Sequence, residues 1–169
     1  MILPPVQSES RRGAAAAEFA VVSPLLLVLV LGLWEVGRMT EAEQVLNNAV
    51  REGARQGSTG KKSAAEVQNT VINYITAAGL DTTGVVVTIT NVTTGQTNAD
   101  PRTYNHLDHF KVEVALPFNN VRWVLLNRFN TDPSSGFAGI RPPASLGAEA
   151  HWYSMKDETL TVSFAPPIE

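Results

Sequence analysis

A single carboxylate, Glu18, interrupts the longest run of apolar residues in this 169-residue chain. It follows Gly13 and four consecutive alanines, and two arginines, Arg11 and Arg12, precede the glycine. A charged side chain in a membrane helix costs about 2.5 to 3.5 kcal/mol at the bilayer centre and less near the interface. Glu18 therefore reaches the lipid headgroups, stays protonated in the lipid, or meets a cationic group that another chain supplies, and the residues alone leave these alternatives open.

The stretch around Glu18 is long enough to cross a bilayer once. A helix over residues 14–34 is about 31 Å long, which matches a hydrocarbon core of about 30 Å. From Phe19 onward its side chains are almost all aliphatic or aromatic. Pro24 lies inside the stretch and, because it has no backbone N–H, is expected to kink or loosen the helix. We therefore predict one transmembrane helix over residues 14–36.

The flanking charges predict the orientation of this helix. Arg11 and Arg12 place the basic excess on its N-terminal side, and basic flanks tend to stay in the cytoplasm. The larger C-terminal part is therefore expected on the other side of the membrane. A cleaved secretory signal peptide is the first rival interpretation, but no small-x-small cleavage site follows Leu33 and helical sequence continues beyond it.

Residues 11–57 resemble the TadE-like pseudopilins, which are minor pilin-like components of the Tad (tight adherence, Flp-type) pilus and secretion system. The matching pattern is a glycine, four small residues, Glu-Phe, an apolar run that contains Pro24, and then an acidic residue, a glycine and Arg38. A second match is AVREGARQG, residues 49–57, which is similar to the Gly-Ala-Arg segment that ends the long helix of the family.

The resemblance implies that a prepilin peptidase cuts the chain between Gly13 and Ala14 on the cytoplasmic face of the bacterial inner membrane. Residues 1–13 are then a leader peptide, and Glu18 and Phe19 follow as the fifth and sixth mature residues. In a pilin-like stack, Glu18 pairs with the new α-amine of a neighbouring subunit. Desolvation offsets much of that attraction, so the pair is expected to set the register of the subunits.

Composition agrees with a modest exported domain and argues against a nucleic-acid-binding protein. The net charge is −3 and the pI is near 5.6, so there is no basic stripe that could neutralise phosphates. The chain has no cysteine, which excludes a cysteine nucleophile and a cysteine-based zinc site. We expect no nucleic acid among the partners.

Few residues suggest catalysis. His106, Asp108 and His109 lie close together in the sequence, but without the HExxH spacing that presents two imidazoles of one helix to a metal ion. Ser134 and Ser135 lack the GxSxG context of a nucleophile elbow. We therefore predict no enzyme, no metal site, no cofactor and no small-molecule substrate. A hydrolase of envelope substrates ranks third, behind the two non-enzymatic interpretations given below.

Beyond the membrane-length stretch, hydrophobic periodicity predicts two helical segments. Residues 37–60 carry an apolar stripe at three- and four-residue steps, which two glycines end. The stripe packs either on the sheet of the same chain, which we favour, or on a neighbouring subunit. Ser63 and Glu66 form a capping box that predicts the start of a second helix, and Gly79 predicts its end. The predicted apolar face of this helix consists of Ala64, Val67, Val71, Ile75 and Ala78.

The later residues alternate with a period of two, which predicts strands. The predicted strands cover residues 84–92, 110–118 and 146–152, with a weaker fourth over 160–164. The intervening segments are a turn-rich stretch over 93–101, a short helix or turn over 119–129 and a loop over 131–145. We therefore predict an α+β fold, in which residues 61–169 form a head with a three- to four-stranded, mostly antiparallel sheet packed against helices.

Together these features predict a single-pass pilin-like protein that is processed by a prepilin peptidase and acts in pilus biogenesis, adhesion or secretion. Its expected partners are the peptidase, other pilin-like subunits, the inner-membrane pilus platform and the lipid bilayer. The alternative is an uncleaved, membrane-anchored module whose extracytoplasmic domain binds an envelope partner.

Overall fold

A computed structural model describes residues 8–121 and 144–156, with side chains from residue 13 onward. The weak strand predicted over 160–164 lies outside the described residues. So do almost all of the loop predicted over 131–145 and most of the short helix or turn predicted over 119–129.

The described residues form two α-helices and four β-strands. The helices are α1 (Ser8–Ser58) and α2 (Ala64–Ala77), and the strands are β1 (Val86–Asn91), β2 (Gln96–Thr97), β3 (His109–Pro117) and β4 (Ser145–Tyr153). Short 3-10 helices cover Pro101–Thr103 and Phe118–Asn120. The strands form one sheet in the order β2-β1-β3-β4, and every neighbouring pair is antiparallel. The α+β prediction is confirmed.

The sheet has four strands because the turn-rich segment contains a strand that the sequence did not predict. Asn91 begins the turn after β1, since its side-chain oxygen accepts a hydrogen bond from the backbone N–H of Thr94 at 3.1 Å. Gly95 has a φ of +73°, a conformation that glycine adopts without steric cost. The chain then returns as β2, with Thr97 opposite Thr90.

The chain divides into two compact units, Met1–Thr40 and Glu41–Glu169. In the first unit the described residues are the N-terminal part of α1. The second unit, which we call the head, contains the rest of α1, α2 and the sheet.

Strand β3 is the centre of the head. Its buried and partly exposed residues alternate without interruption, and the buried ones are Phe110, Val112, Val114 and Leu116. Val112 lies opposite Ile89 of β1 and Ala150 of β4, so three strands contribute to one apolar layer. The alternation predicted for this strand is confirmed.

The C-terminal part of α1 packs against α2 and β3 at unusually short distance. A Cβ atom at Gly53 would lie 2.5 Å from Cγ2 of Val71 and 3.7 Å from Cγ1 of Val112. A Cβ at Gly57 would lie 3.3 Å from Cε2 of Phe110. The apolar stripe of α1 therefore packs on its own chain, as favoured from the sequence.

Helix α2 begins and ends as the sequence predicts. The backbone N–H of Ser63 donates to Glu66 Oε2 at 2.8 Å, and the N–H of Glu66 donates to Ser63 Oγ at 3.3 Å. Gly79 follows the helix with a φ of +80°. Val67, Val71 and Ile75 are buried, whereas Ala78, also expected on the buried face, is exposed.

Replacing Gly53 tests the close approach of α1. Gly53→Val should lower the stability of the head by about 1 to 3 kcal/mol, because the β-branched side chain of Val71 cannot move aside without disturbing the core. Thermal unfolding of the detergent-solubilised chain, followed by near-UV circular dichroism, measures the loss. Gly37→Val is the control, since a Cβ at Gly37 meets no atom within 4 Å. Equal melting temperatures for Gly53→Val and the wild type would contradict this packing.

The head should lose stability in acid, because several of its carboxylates have lowered pKa values. Hydrogen bonds from Arg55, at 2.8 and 2.7 Å, are the main reason that the pKa of Glu52 falls from 4.5 to about 2. Hydrogen bonds from Ser63, Thr83 and Arg102, respectively, lower the pKa values of Glu66, Asp81 and Asp100. A carboxylate with a lowered pKa stabilises the folded state above its unfolded pKa, and this contribution disappears as the pH falls through its folded pKa.

The melting temperature of the head should therefore fall between about pH 4.5 and pH 2. Glu52→Gln should reduce the steepness of this fall, because it removes one of the carboxylates that must be protonated. Glu41→Gln, on the same helix, is the control, since the described residues offer the Glu41 carboxylate no ion-pair partner. The same slope in Glu52→Gln and the wild type would show that the Arg55 interaction contributes nothing.

Candidate functional site

The residues with predicted roles in processing and assembly all lie on α1, in the first compact unit. Gly13, Ala14, Glu18 and Phe19 belong to one uninterrupted helix. Alanine has the highest helix propensity of any residue type. The four alanines that follow Gly13 therefore offset the cost of about 1 kcal/mol for a glycine inside a helix. The backbone at Gly13 is therefore helical in this structure, and not extended.

The spacing of Ala14 and Glu18 places them on the same side of the helix. Residues four apart lie about 6 Å apart along the axis and nearly above one another. The Phe19 side chain is 68% exposed. The Glu18 carboxylate is also exposed, and it has no ion pair or hydrogen bond with the residues that the structure describes.

Packing does not explain the glycine at position 13. A Cβ atom built there meets no other atom within 4 Å. Gly53, in the head, shows the contrary situation, because a Cβ there would overlap Val71. Packing within the described part of the chain thus explains why position 53 is a glycine, but it does not explain why position 13 is one.

The described residues of the chain do not bury the apolar part of α1. Its most apolar 18-residue window has a mean hydropathy of 2.3, and none of that window is buried. Leu27, Val30 and Trp34 are 61%, 60% and 61% exposed. A core helix of a soluble protein with such hydropathy is mostly buried, so this helix has the length and composition to cross a membrane. It is the one such helix among the described residues.

Two further predicted elements lie on the same helix. Pro24 is inside α1, and the helix continues on both sides of it. Arg11 and Arg12 belong to the first described turns of α1, but their side chains lie outside the described part of the structure. Their predicted roles in topology remain predictions.

Two residues of the loop before β3, His106 and Asp108, make hydrogen bonds within the head. His106 Nδ1 lies 3.0 Å from the backbone oxygen of Lys156. Asp108 is buried, and its Oδ2 accepts hydrogen bonds from Asn91 Nδ2 at 3.1 Å and from the backbone N–H of Asn105 at 2.9 Å. Within the described ranges, no three His, Asp or Glu side chains come together as a metal site.

His109 lies next to His151, and nothing in the sequence indicated that these two residues are neighbours. Its Nε2 lies 3.0 Å from Nδ1 of His151, on the neighbouring strand β4. His151 occupies an outward position in its predicted strand, whereas His109 directly precedes the strand predicted over 110–118 and is the first residue of β3 in the structure. The alternation of His151 is the signal that was present in the sequence. The register of β3 with β4, which brings the two rings together, was not.

Comparison with protein families gives one result for this helix. The family model described as TadE-like protein matches residues 13–55, which begin at Gly13, include Glu18 and Phe19, and end in the last turn of α1. Comparisons with curated proteins and with solved structures find no match. The resemblance inferred from the sequence is thus confirmed over this segment, because residues 13–55 match the model of the TadE-like family.

Proposed function

We propose that this protein is a pilin-like component of a Tad-type pilus or of its inner-membrane assembly platform. The observation that carries the proposal is the TadE-like match over residues 13–55, on a helix whose most apolar window is not buried by the described residues. An uncovered apolar helix requires lipid or other helices around it. A pilin-like protein meets both, first in the membrane and then in the assembly.

A prepilin peptidase is the proposed processing enzyme, and it cuts between Gly13 and Ala14. Nothing among the described residues packs against position 13, so the fold leaves this glycine free to serve the peptidase. Glycine also lowers the cost of unwinding the helix locally by about 1 kcal/mol relative to alanine. Such unwinding is needed because a protease binds an extended chain, and Gly13 is helical here.

Cleavage creates a positive charge that complements Glu18. The α-amine of Ala14 adds to the partial positive charge at the N-terminus of the shortened helix. Because Ala14 and Glu18 lie about 6 Å apart along one side of α1, a parallel neighbour shifted by about that distance brings its amine level with Glu18. The carboxylate thus selects one axial offset between subunits.

The proposed topology places the leader in the cytoplasm and the head outside the inner membrane. The basic residues Arg11 and Arg12 support this orientation.

Replacing the glycine tests the processing step. Gly13→Val should leave the leader attached in cells that contain a prepilin peptidase, because valine obstructs the cleft and stiffens the scissile bond. Intact-mass spectrometry of the membrane fraction distinguishes a chain that starts at Ala14 from one that starts at Met1. The control is Gly32→Val, since a Cβ at Gly32 also meets no atom within 4 Å.

The wild-type chain should start at Ala14 only when the peptidase is present. If it keeps Met1 under both conditions, the processing proposal is wrong and the uncleaved, membrane-anchored binding module is favoured. If Gly13→Val is cut as efficiently as the wild type, Gly13 does not define the site.

Replacing the carboxylate tests the assembly step. Glu18→Ala should insert in the membrane and be processed normally, yet reduce its incorporation into pili or platform complexes at least tenfold, because the offset between subunits is no longer selected. Cross-linking of membranes followed by immunoblotting, together with counts of pili by electron microscopy, measures the loss. Glu43→Ala is the control, since Glu43 is an exposed carboxylate of α1 within the head. Normal incorporation of Glu18→Ala would remove the proposed role.

A further inference from the structure

Two of the three histidines of the chain meet on the open face of the sheet, away from the helices. In the register of β3 with β4, His109 lies opposite Tyr153 and Lys111 lies opposite His151, so the two histidines are diagonal neighbours. Both belong to the outward set of their strands, and the His151 side chain is 49% exposed. The pair is therefore accessible to solutes, and it is separate from the processing and assembly residues of α1.

We propose that His109 Nε2 and His151 Nδ1 bind a divalent transition-metal ion, with Zn²⁺ and Cu²⁺ as the ions that imidazole pairs favour. The two nitrogen atoms lie 3.0 Å apart. Two imidazoles that bind one ion at about 2.0 to 2.1 Å, with an angle of about 90° to 110° at the metal, hold their nitrogens about 2.9 to 3.4 Å apart. Without an ion this distance is that of a hydrogen bond, in which one ring nitrogen donates its proton to the other. When the ion binds, the donating ring loses that proton or carries it on its other nitrogen, the rings rotate so that both lone pairs face the ion, and water completes the coordination.

The surroundings hold the two rings in place. Tyr153 stacks on His109, with ring centroids 5.1 Å apart and an interplanar angle of 27°. The backbone N–H of His109 donates to Thr93 Oγ1 at 2.8 Å, which fixes the start of β3 against the turn after β1. Preorganised ligands lose little conformational freedom when the ion binds.

A carboxylate lies beside the ring nitrogen that the metal does not use. Glu149 Oε1 is 3.7 Å from His151 Nε2. Histidines that bind metal ions usually donate their second N–H to a carboxylate, a carbonyl or a water, which fixes the tautomer. At 3.7 Å Glu149 makes no hydrogen bond to His151, and a small movement of its exposed side chain would bring it to Nε2 when Nδ1 binds the ion.

The charges around the pair favour a cation. Lys111 lies nearby, but its ammonium contacts Glu113 Oε1 at 2.8 Å and Glu149 Oε2 at 3.9 Å. Two carboxylates thus accompany one ammonium group, and the neighbourhood keeps an excess negative charge. The side chains are partly exposed, so this attraction is modest and depends on ionic strength.

Metal binding at this site would connect β4 to β3 through side chains as well as through the backbone ladder. Strand β4 is the last strand in the described sheet, with β3 on one side of it. A site made of two histidines and water binds more weakly than a structural zinc site with four protein ligands. The expected behaviour is reversible binding that stabilises the edge of the head.

Calorimetric titration of ZnCl₂ into the full chain in detergent, purified without a polyhistidine tag, tests the proposal. The wild type should bind one ion per chain, and His109→Ala and His151→Ala should each weaken binding at least tenfold. His106→Ala is the matched control and should bind like the wild type, because His106 contacts only the backbone of Lys156 among its described hydrogen-bond partners. Zinc should also raise the melting temperature of the wild type but not of His151→Ala.

The proposal is overturned if the wild type does not bind zinc, or if His109→Ala and His151→Ala bind as tightly as His106→Ala. Circular dichroism shows whether the variants are folded. If His109→Ala unfolds, the comparison of His151→Ala with His106→Ala decides, because His151 is exposed and its loss leaves no cavity. This outcome does not depend on whether the leader is cut or whether Glu18 acts in assembly.

Discussion

The close approach of α1 to α2 and β3 is the constraint on which the head depends. At Gly53 the helix backbone comes so near Val71 that no side chain fits between them, and at Gly57 it comes close to Phe110. Core packing at this density excludes water and leaves no room for an added methyl group. At this distance α1 can cover the apolar layer of β3 because position 53 carries no side chain, and a side chain at position 57 would fit only tightly.

The same helix meets two kinds of surroundings along its length. Within the head, Leu46, Val50 and Ala54 are fully buried by the chain itself. In the first unit, Leu27 and Val30 are mostly exposed, although they are at least as apolar. A helix that buries one stripe and elsewhere exposes apolar side chains on all sides is typical of a protein that needs lipid or partner helices for part of its length. This contrast gives the family match a physical basis.

Elements that depend on local interactions were predictable. The capping box of Ser63 and Glu66, the stop at Gly79 and the alternation of β3 involve residues close in the sequence, and all appear in the structure. Strand β2 was missed because it is two residues long and rests on a turn that Asn91 organises through its side chain. Ala78 was misplaced because a helix boundary changes the surroundings of its last residues.

The sequence by itself determined the membrane-length helix, the pattern around Gly13 and Glu18 that matches the TadE-like family, and which segments of the head are helices and which are strands. Hydropathy, capping and periodicity carry this information because they act within a few residues. Only the tertiary structure decided the strand order, the burial of Asp108 against Asn91 and the meeting of His109 with His151. Those contacts join residues far apart in the sequence, and they depend on the register between strands. Register follows from how the whole apolar layer packs under α1 and α2, and no short segment contains that information.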